Sequence, residues 1–218
     1  MKLVAESFEW PFRGEWRSRW AVGVLVVLFL PLLFIPLLGY AIAATRAAEN
    51  DPSKGPPPWR LSARLLVDGF WTSLAAIVLT APLALAFNPL SDFLYSARVG
   101  HAADSAQSWL FAHVIALLCL ALPWGLVFLL LMPHATARFA NSGRPRDLFD
   151  VVAAVHGVRR DFATWNLTAA AIVTGWAVGV ACVGLLCVGL VPGVFYAILV
   201  SAHASAALNS KGASTPAR

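Results

Sequence analysis

Apolar residues in this chain come in runs of about twenty or more, and the short stretches between them hold nearly all of the charge. As helix, a run of that length matches a hydrocarbon core of roughly 30 Å. The first run, residues 21–44 (AVGVLVVLFLPLLFIPLLGYAIAA), contains Pro31 and Pro36. Each removes a backbone donor, so a kink is expected there. The second run, 69–87, closes at Asn88-Pro89, and the third, 109–132, carries Pro123, where a kink is again expected. The last apolar stretch, 167–208, is too long for one crossing, because roughly 40 residues at 1.5 Å rise extend about 60 Å. GLVPG at 189–193 is its natural break. Two spans there, 167–188 and 191–208, give about five in total, within a range of four to six. The counter-reading is one span plus a re-entrant or interfacial half-helix.

The stretches between the runs have their own patterns. Residues 1–20 mix Trp10, Trp16 and Trp20 with Arg13, Arg17 and Arg19, as expected of a segment lying among lipid headgroups. In residues 45–60, Asn50-Asp51-Pro52 and Gly55-Pro56-Pro57-Pro58 forbid continued helix. Arg60, Arg64 and Asp68 then recur every four residues opposite Leu61, Leu65 and Leu66, which predicts an amphipathic helix leading into the membrane. Residues 146–162 repeat that plan with Leu148, Val151, Val155 and Val158 against Asp147, Asp150, Arg159 and Asp161. A faint repeat at an offset of about 91 to 93 residues aligns Thr45-Arg46 with Thr136-Ala137-Arg138, and Asp68 with Asp161. The fold class is therefore all-α: a polytopic transmembrane helical bundle with two interfacial amphipathic helices. It divides into an interfacial segment (1–20), one helical membrane domain (21–208) and a flexible tail (209–218).

Composition sharpens this picture. Hydrophobic residues make up 59% and charged residues 12%, an excess of apolar side chains that must face lipid. The formal net charge of +5 sits on arginines flanking membrane segments, where it meets anionic headgroups, so no nucleic-acid partner is expected. Cys119, Cys182 and Cys187 lie inside apolar runs without disulfide or metal spacing and are taken as core residues. The first 20 residues lack the layout of a secretory signal, so the first span is expected to be retained. With five spans, five of the 16 Lys and Arg fall on one side and eleven on the other, which favours the long loops and C-terminus in the cytoplasm. With four spans the split is seven against nine and decides nothing. The expected location is the plasma (inner) membrane of a prokaryote, with multiple passes.

Candidate chemistry is sparse. No Asp, Glu, Lys or Arg lies in the central part of any predicted span, which argues against a proton-coupled carrier. His113, His134 and His203 lie in or at the ends of spans and are the candidates for cofactor ligation, since neutral imidazole binds haem iron. No spacing forces two of them to equal depth, so an interfacial or hydrogen-bonded role is the alternative. Gly175 and Gly179 form a GxxxG pattern continued by Gly184 and Gly189, a helix-packing face that fits either an internal neighbour or another subunit. Trp10, Trp16, Trp20, Trp59 and Trp109 are expected as interfacial anchors. Asn166-Leu167-Thr168 fits the glycosylation sequon but abuts a span. There is no phosphate loop, zinc signature, nucleophile elbow or carboxylate pair. The expectation is a non-enzyme with no cofactor and no metal.

Short motifs in a fixed order carry a resemblance: Trp10-Pro11-Phe12, Gly39-Tyr40 followed by Arg46, Pro58-Trp59, Asp68-Gly69-Phe70, and Gly193-Val194-Phe195-Tyr196. In this order they resemble the uncharacterised prokaryotic membrane family called domain of unknown function 4013. The resemblance covers most of the chain, with no matching motif in residues 89–165. It implies a multi-span helical domain and transfers no functional residues. The functional expectation is an accessory, assembly or structural subunit of a larger membrane complex, with lipids and other membrane subunits as partners. The alternative is a transporter or lipid-handling protein of small molecules or lipids.

Overall fold

The computed structural model describes residues 2–99, 106–184 and 189–210; Cys187 and the tail residues 211–218 lie outside them. The described residues form eight α-helices and no strand: α1 (Lys2–Glu9), α2 (Trp16–Leu28), α3 (Leu30–Asn50), α4 (Ala63–Val99), α5 (Ala106–Ser142), α6 (Val151–Arg160), α7 (Phe162–Ala181) and α8 (Leu190–Ser210). Short 3₁₀ turns occupy Trp10–Phe12, Pro145–Leu148 and Cys182–Gly184. Five helices are long and apolar enough to cross a membrane: Leu30–Asn50, Ala63–Ser96, Ser108–Ser142, Phe162–Ala181 and Leu190–Asn209. The protein is an all-α, multi-pass membrane protein. It contains two compact units, Met1–Leu74 with Leu130–Arg218, and Ala75–Leu129.

The kink expected in the first apolar run is sharper than a bend within one crossing. Helical geometry breaks at Phe29 (φ −98°, ψ 32°) and again at Leu33 (φ −110°, ψ 19°). The cause is local: without an N–H, Pro31 and Pro36 cannot bond the carbonyls of Val27 and Leu32. The two weakened turns lie so close together that the chain reverses. A straight helix would separate residues 20 and 40 by about 30 Å. Instead Trp20 and Tyr40 both pack on Phe195, with ring centroids 5.7 and 6.0 Å away. At 13 residues α2 is about 20 Å long, too short to cross a hydrocarbon core. The reversal is apolar and exposed, with Leu28, Phe29 and Leu32 facing outward. The pair α2–α3 is a helical hairpin, and the 1–20 segment lies at the same end as the 51–62 connection.

The break in the last apolar stretch falls slightly earlier than GLVPG, at Cys182–Gly189, and α8 begins at Leu190 with Pro192 in its first turn, where a missing N–H costs little. Helices α7 and α8 pair antiparallel, with Thr168 Oγ1 donating to the Ala204 carbonyl at 3.1 Å. The first amphipathic stretch is not a separate helix. Residues 60–62 are non-helical, Ser62 Oγ caps the Leu65 N–H at 3.2 Å, and α4 continues into the apolar run. The second is α6, capped by Asp150 on the Ala153 N–H, and α7 is capped by Asp161 on the Thr164 N–H.

Polar side chains of the first unit tie its helix ends together at one end. Ser7 Oγ meets His203 Nδ1 at 2.9 Å, and Arg13 donates to the Pro52 carbonyl at 3.1 Å. Asn141 donates to Glu49 at 3.0 Å, and Asn209 to the Ala137 carbonyl at 2.6 Å. The core beneath is built on Trp10, Val26, Val27, Leu37, Tyr40, Phe195 and Leu199.

The second unit is a hairpin of the distal parts of α4 and α5. Asn88-Pro89 does not end α4, and both helices continue through their prolines. In lipid nothing competes for the remaining backbone hydrogen bonds, so a proline is tolerated inside a helix. Trp124 Nε1 donates to the Leu79 carbonyl at 2.6 Å, and the Phe87 and His113 rings meet edge-on at 5.7 Å. Its buried residues among those described are small: Ala75, Ser91, Ser108, Ala112 and Ala116.

Candidate functional site

The motif residues scattered along the sequence meet at one place in the first unit. Helices α3 and α4 cross with their backbones nearly touching. A Cβ added at Gly39 would collide with the Leu65 carbonyl, and one at Gly69 with the Ile35 carbonyl. Only glycine permits that approach, which lets Tyr40 lie flat on Trp59 with ring centroids 3.8 Å apart and planes 4° apart. The Tyr40 hydroxyl donates to the Pro57 carbonyl at 2.9 Å, and Trp59 Nε1 to the Arg19 carbonyl at 3.1 Å. Phe195 of α8, fully buried, closes the cluster.

One and a half turns above Tyr40, Arg46 serves two partners. Its Nη2 donates to Asp68 Oδ2 at 3.1 Å and its Nε to the Ala140 carbonyl at 2.8 Å, so one guanidinium joins α3, α4 and α5. The Asp68 side chain is 8% exposed, and Arg64 lies 4.0 Å from the same oxygen. Beside this clamp is a cavity of about 170 Å³ lined by Tyr40, Ala43, Arg46, Pro58, Arg60, Ser62, Arg64, Leu65 and Asp68. Three arginines face one carboxylate there. Arg60 is exposed, and no ion pair or hydrogen bond holds its side chain among the described residues. A second ionic node binds the α5–α6 connection: Arg138 reaches Asp147 and Asp150, each at 3.3 Å, and Ser142 donates to Asp147. The Ala153 N–H and Arg138 hold the Asp150 carboxyl below the usual range.

The sequence candidates fall elsewhere. His203 is buried between Ser7 and the Trp10 ring, 5.3 Å away. His134 is buried with its ring against Gly157, and its Nε2 has no hydrogen-bond partner among the described residues. His113 bonds the Trp109 carbonyl at 2.9 Å in the second unit. Among the described residues no three His, Cys, Asp or Glu side chains are placed to share a metal ion. In the glycine stretch, Gly175 packs on Val200 and Gly179 on the Gly193 backbone, both in α8. A Cβ at Gly189 would meet the Cys182 carbonyl, while one at Gly184 has nothing within 4 Å among the described residues.

The tryptophans divide. Trp10, expected at the interface, is fully buried, because α1 folds back onto α7 and α8 and covers it. Trp16 and Trp20 are half-buried and flank Phe12, with Trp20 Nε1 donating to the Pro11 carbonyl at 3.0 Å. Trp59 is half-buried in the aromatic cluster, and Trp109 is 54% exposed. Thr168 of the sequon is buried in α7. Sequence reasoning noted Arg60, Arg64 and Asp68 as one helix face but not the cavity they line. Its missing component was Arg46, 22 residues from its carboxylate partner.

No curated protein and no solved structure shows significant similarity to the chain. The family model described as Protein of unknown function (DUF4013) matches residues 22–200. That match takes in the Gly39–Gly69 crossing, the Tyr40–Trp59–Phe195 cluster, the Arg46–Asp68 pair and the cavity. The chain belongs to this family of unknown function, domain of unknown function 4013.

Proposed function

We propose that this protein is a non-enzymatic accessory or assembly subunit of a larger complex in the plasma membrane of a prokaryote, with lipids and other membrane subunits as its partners. The observation that supports this reading is the exposure of the second unit's helices. Of the apolar 18-residue window within α5 only 6% is buried, and within α4 only 17%. Leu85, Phe93, Leu122 and Leu126 are each two-thirds exposed or more. Such a hairpin has room for neighbouring helices around it, and small buried residues with outward-facing large ones suit packing in lipid. The motif side chains point the same way. Arg46, Asp68, Tyr40 and Trp59 are engaged in joining helices, which is the work of a scaffold. The test is extraction from the native membrane in mild detergent, size separation, and identification of co-migrating proteins. A stoichiometric membrane partner is the expected result; a lone small species in every mild detergent overturns the reading.

A second reading, a lipid-handling protein, is favoured by the arginine-lined cavity at the end of α3 and the start of α4. Transfer of labelled lipid between vesicles by the purified protein distinguishes it from the first.

A further inference from the structure

We propose that the cavity between the end of α3 and the start of α4 is a binding site for a phosphate group, presented by the headgroup of an anionic lipid. The proposal does not depend on the accessory-subunit reading, because it concerns a ligand and not a protein partner.

Charge comes first. Arg46, Arg60 and Arg64 line the cavity and Asp68 is its one acid, leaving a formal excess of two positive charges. Asp68 is already shared by Arg46 and Arg64, so Arg60 and the outward N–H groups of Arg64 have no carboxylate to satisfy them. The guanidinium fork matches phosphate oxygens in pairs, and apolar walls such as Ala43, Pro58 and Leu65 concentrate the field. The 37-residue α4 also begins here, with Ser62 capping its Leu65 N–H, and the positive end of its dipole favours an anion.

Size and position then choose the class of ligand. A volume of about 170 Å³ is below the roughly 300–1,000 Å³ of a site that encloses a drug-sized molecule, yet it equals the share of about five or six waters. That suits a headgroup and not a whole lipid. The cavity lies where two membrane helices leave the apolar zone. On α4, Leu66, Val67 and Phe70 are about half exposed just inside the first turn, a surface along which an acyl chain can lie. A free inorganic phosphate would use the arginines but gain nothing from that surface.

The test uses the full-length protein purified in an uncharged maltoside detergent. Native mass spectrometry and thermal unfolding are followed during titration with phosphatidylglycerol, phosphatidylcholine or inorganic phosphate. Arg60→Gln/Arg64→Gln is compared with Arg159→Gln/Arg160→Gln, which removes the same charge from the exposed end of α6. Phosphatidylglycerol should bind in preference to phosphatidylcholine. The first double variant should weaken that binding roughly thirtyfold, taking about fivefold for each arginine, while the second leaves it nearly unchanged. Both variants should unfold at the wild-type temperature without lipid, because Arg60 and Arg64 are exposed. Inorganic phosphate acting as strongly as the lipid would keep the phosphate site and reject the lipid as its source. Equal loss in the two double variants, or no preference for the anionic lipid, would overturn the proposal.

Discussion

Replacing Arg46 by methionine tests whether the motif residues hold the helices together. The change keeps the length and apolar stem of the side chain and removes the group that reaches both Asp68 and the Ala140 carbonyl. Breaking a buried ion pair by removing one partner costs about 3–5 kcal/mol, because the remaining charge stays desolvated. Here Arg46 is 22% exposed and Arg64 can swing toward Asp68 from 4.0 Å, so a loss of about 2–4 kcal/mol is expected. Arg46→Lys should lose less, roughly 1–2 kcal/mol, since one ammonium keeps the charge but cannot serve both acceptors in the same geometry. Asp68→Asn should cost about 1–3 kcal/mol, and Arg46→Met/Asp68→Asn should cost less than the two single losses added, by about 1–3 kcal/mol of coupling. The assay is reversible unfolding of the purified protein in mixed micelles as the fraction of denaturing detergent rises. An Arg46→Met protein within about 0.5 kcal/mol of wild type, or strict additivity in the cycle, would refute the clamp.

Gly39→Ala and Gly69→Ala should each destabilise by about 1–3 kcal/mol, as overpacking at a backbone crossing does; the same micelle unfolding measures it, and a neutral effect would mean that the helices separate freely. Gly179→Leu should prevent folding, because the Gly193 carbonyl lies 2.6 Å from the added Cβ, whereas Gly184→Leu should fold normally. Size-exclusion profiles decide this, and a well-folded Gly179→Leu protein would place that face on the outside. In a protein stripped of its native cysteines, Lys2→Cys, Ser53→Cys and Arg144→Cys should all react with an impermeant maleimide from the same side of sealed vesicles. Labelling of Lys2→Cys from the opposite side would overturn the hairpin and restore a single crossing.

The length of the apolar runs made the helical membrane fold legible, because only a helix satisfies its own backbone across 20 apolar residues. The break inside 167–208 was legible for the same reason, as a mismatch between run length and membrane thickness. The reversal at Phe29–Leu33 was not. A turn in lipid needs no polar residue, so Pro31 and Pro36 look alike whether they bend a helix or fold it back. Trp10 was misplaced by the same logic, since a tryptophan near an apolar run has the same local pattern whether it faces headgroups or is covered by α7 and α8. The candidate site was legible only in pieces. Arg64 and Asp68 share a face of α4 with Arg60 just ahead of it, but no local rule joins Asp68 to Arg46, or Tyr40 to a phenylalanine 155 positions later.

The repeat seen in the sequence takes a different form in three dimensions. Its two arginines do occupy like places, Arg46 near the end of α3 and Arg138 near the end of α5, each bound to an acid that begins the following segment. Asp161, aligned with Asp68, instead caps α7. The two nodes also differ in balance. Arg138 faces two carboxylates, and that site is closed on itself; Arg46 shares one carboxylate with Arg64 beside an unpaired Arg60. Duplicated geometry with unequal charge therefore separates a structural joint from a site that still has positive charge to offer. The α2–α3 hairpin also brings Arg13 and Arg19 to the same end of the first unit as the cavity, where Arg13 pairs with Glu9 and Lys54 with Asp51. Had residues 21–44 crossed the membrane, Arg13 and Arg19 would lie on the far side. Folded back, they lie at the same end as Arg46, Arg60 and Arg64, a grouping that positive-inside topology and anionic headgroups both favour.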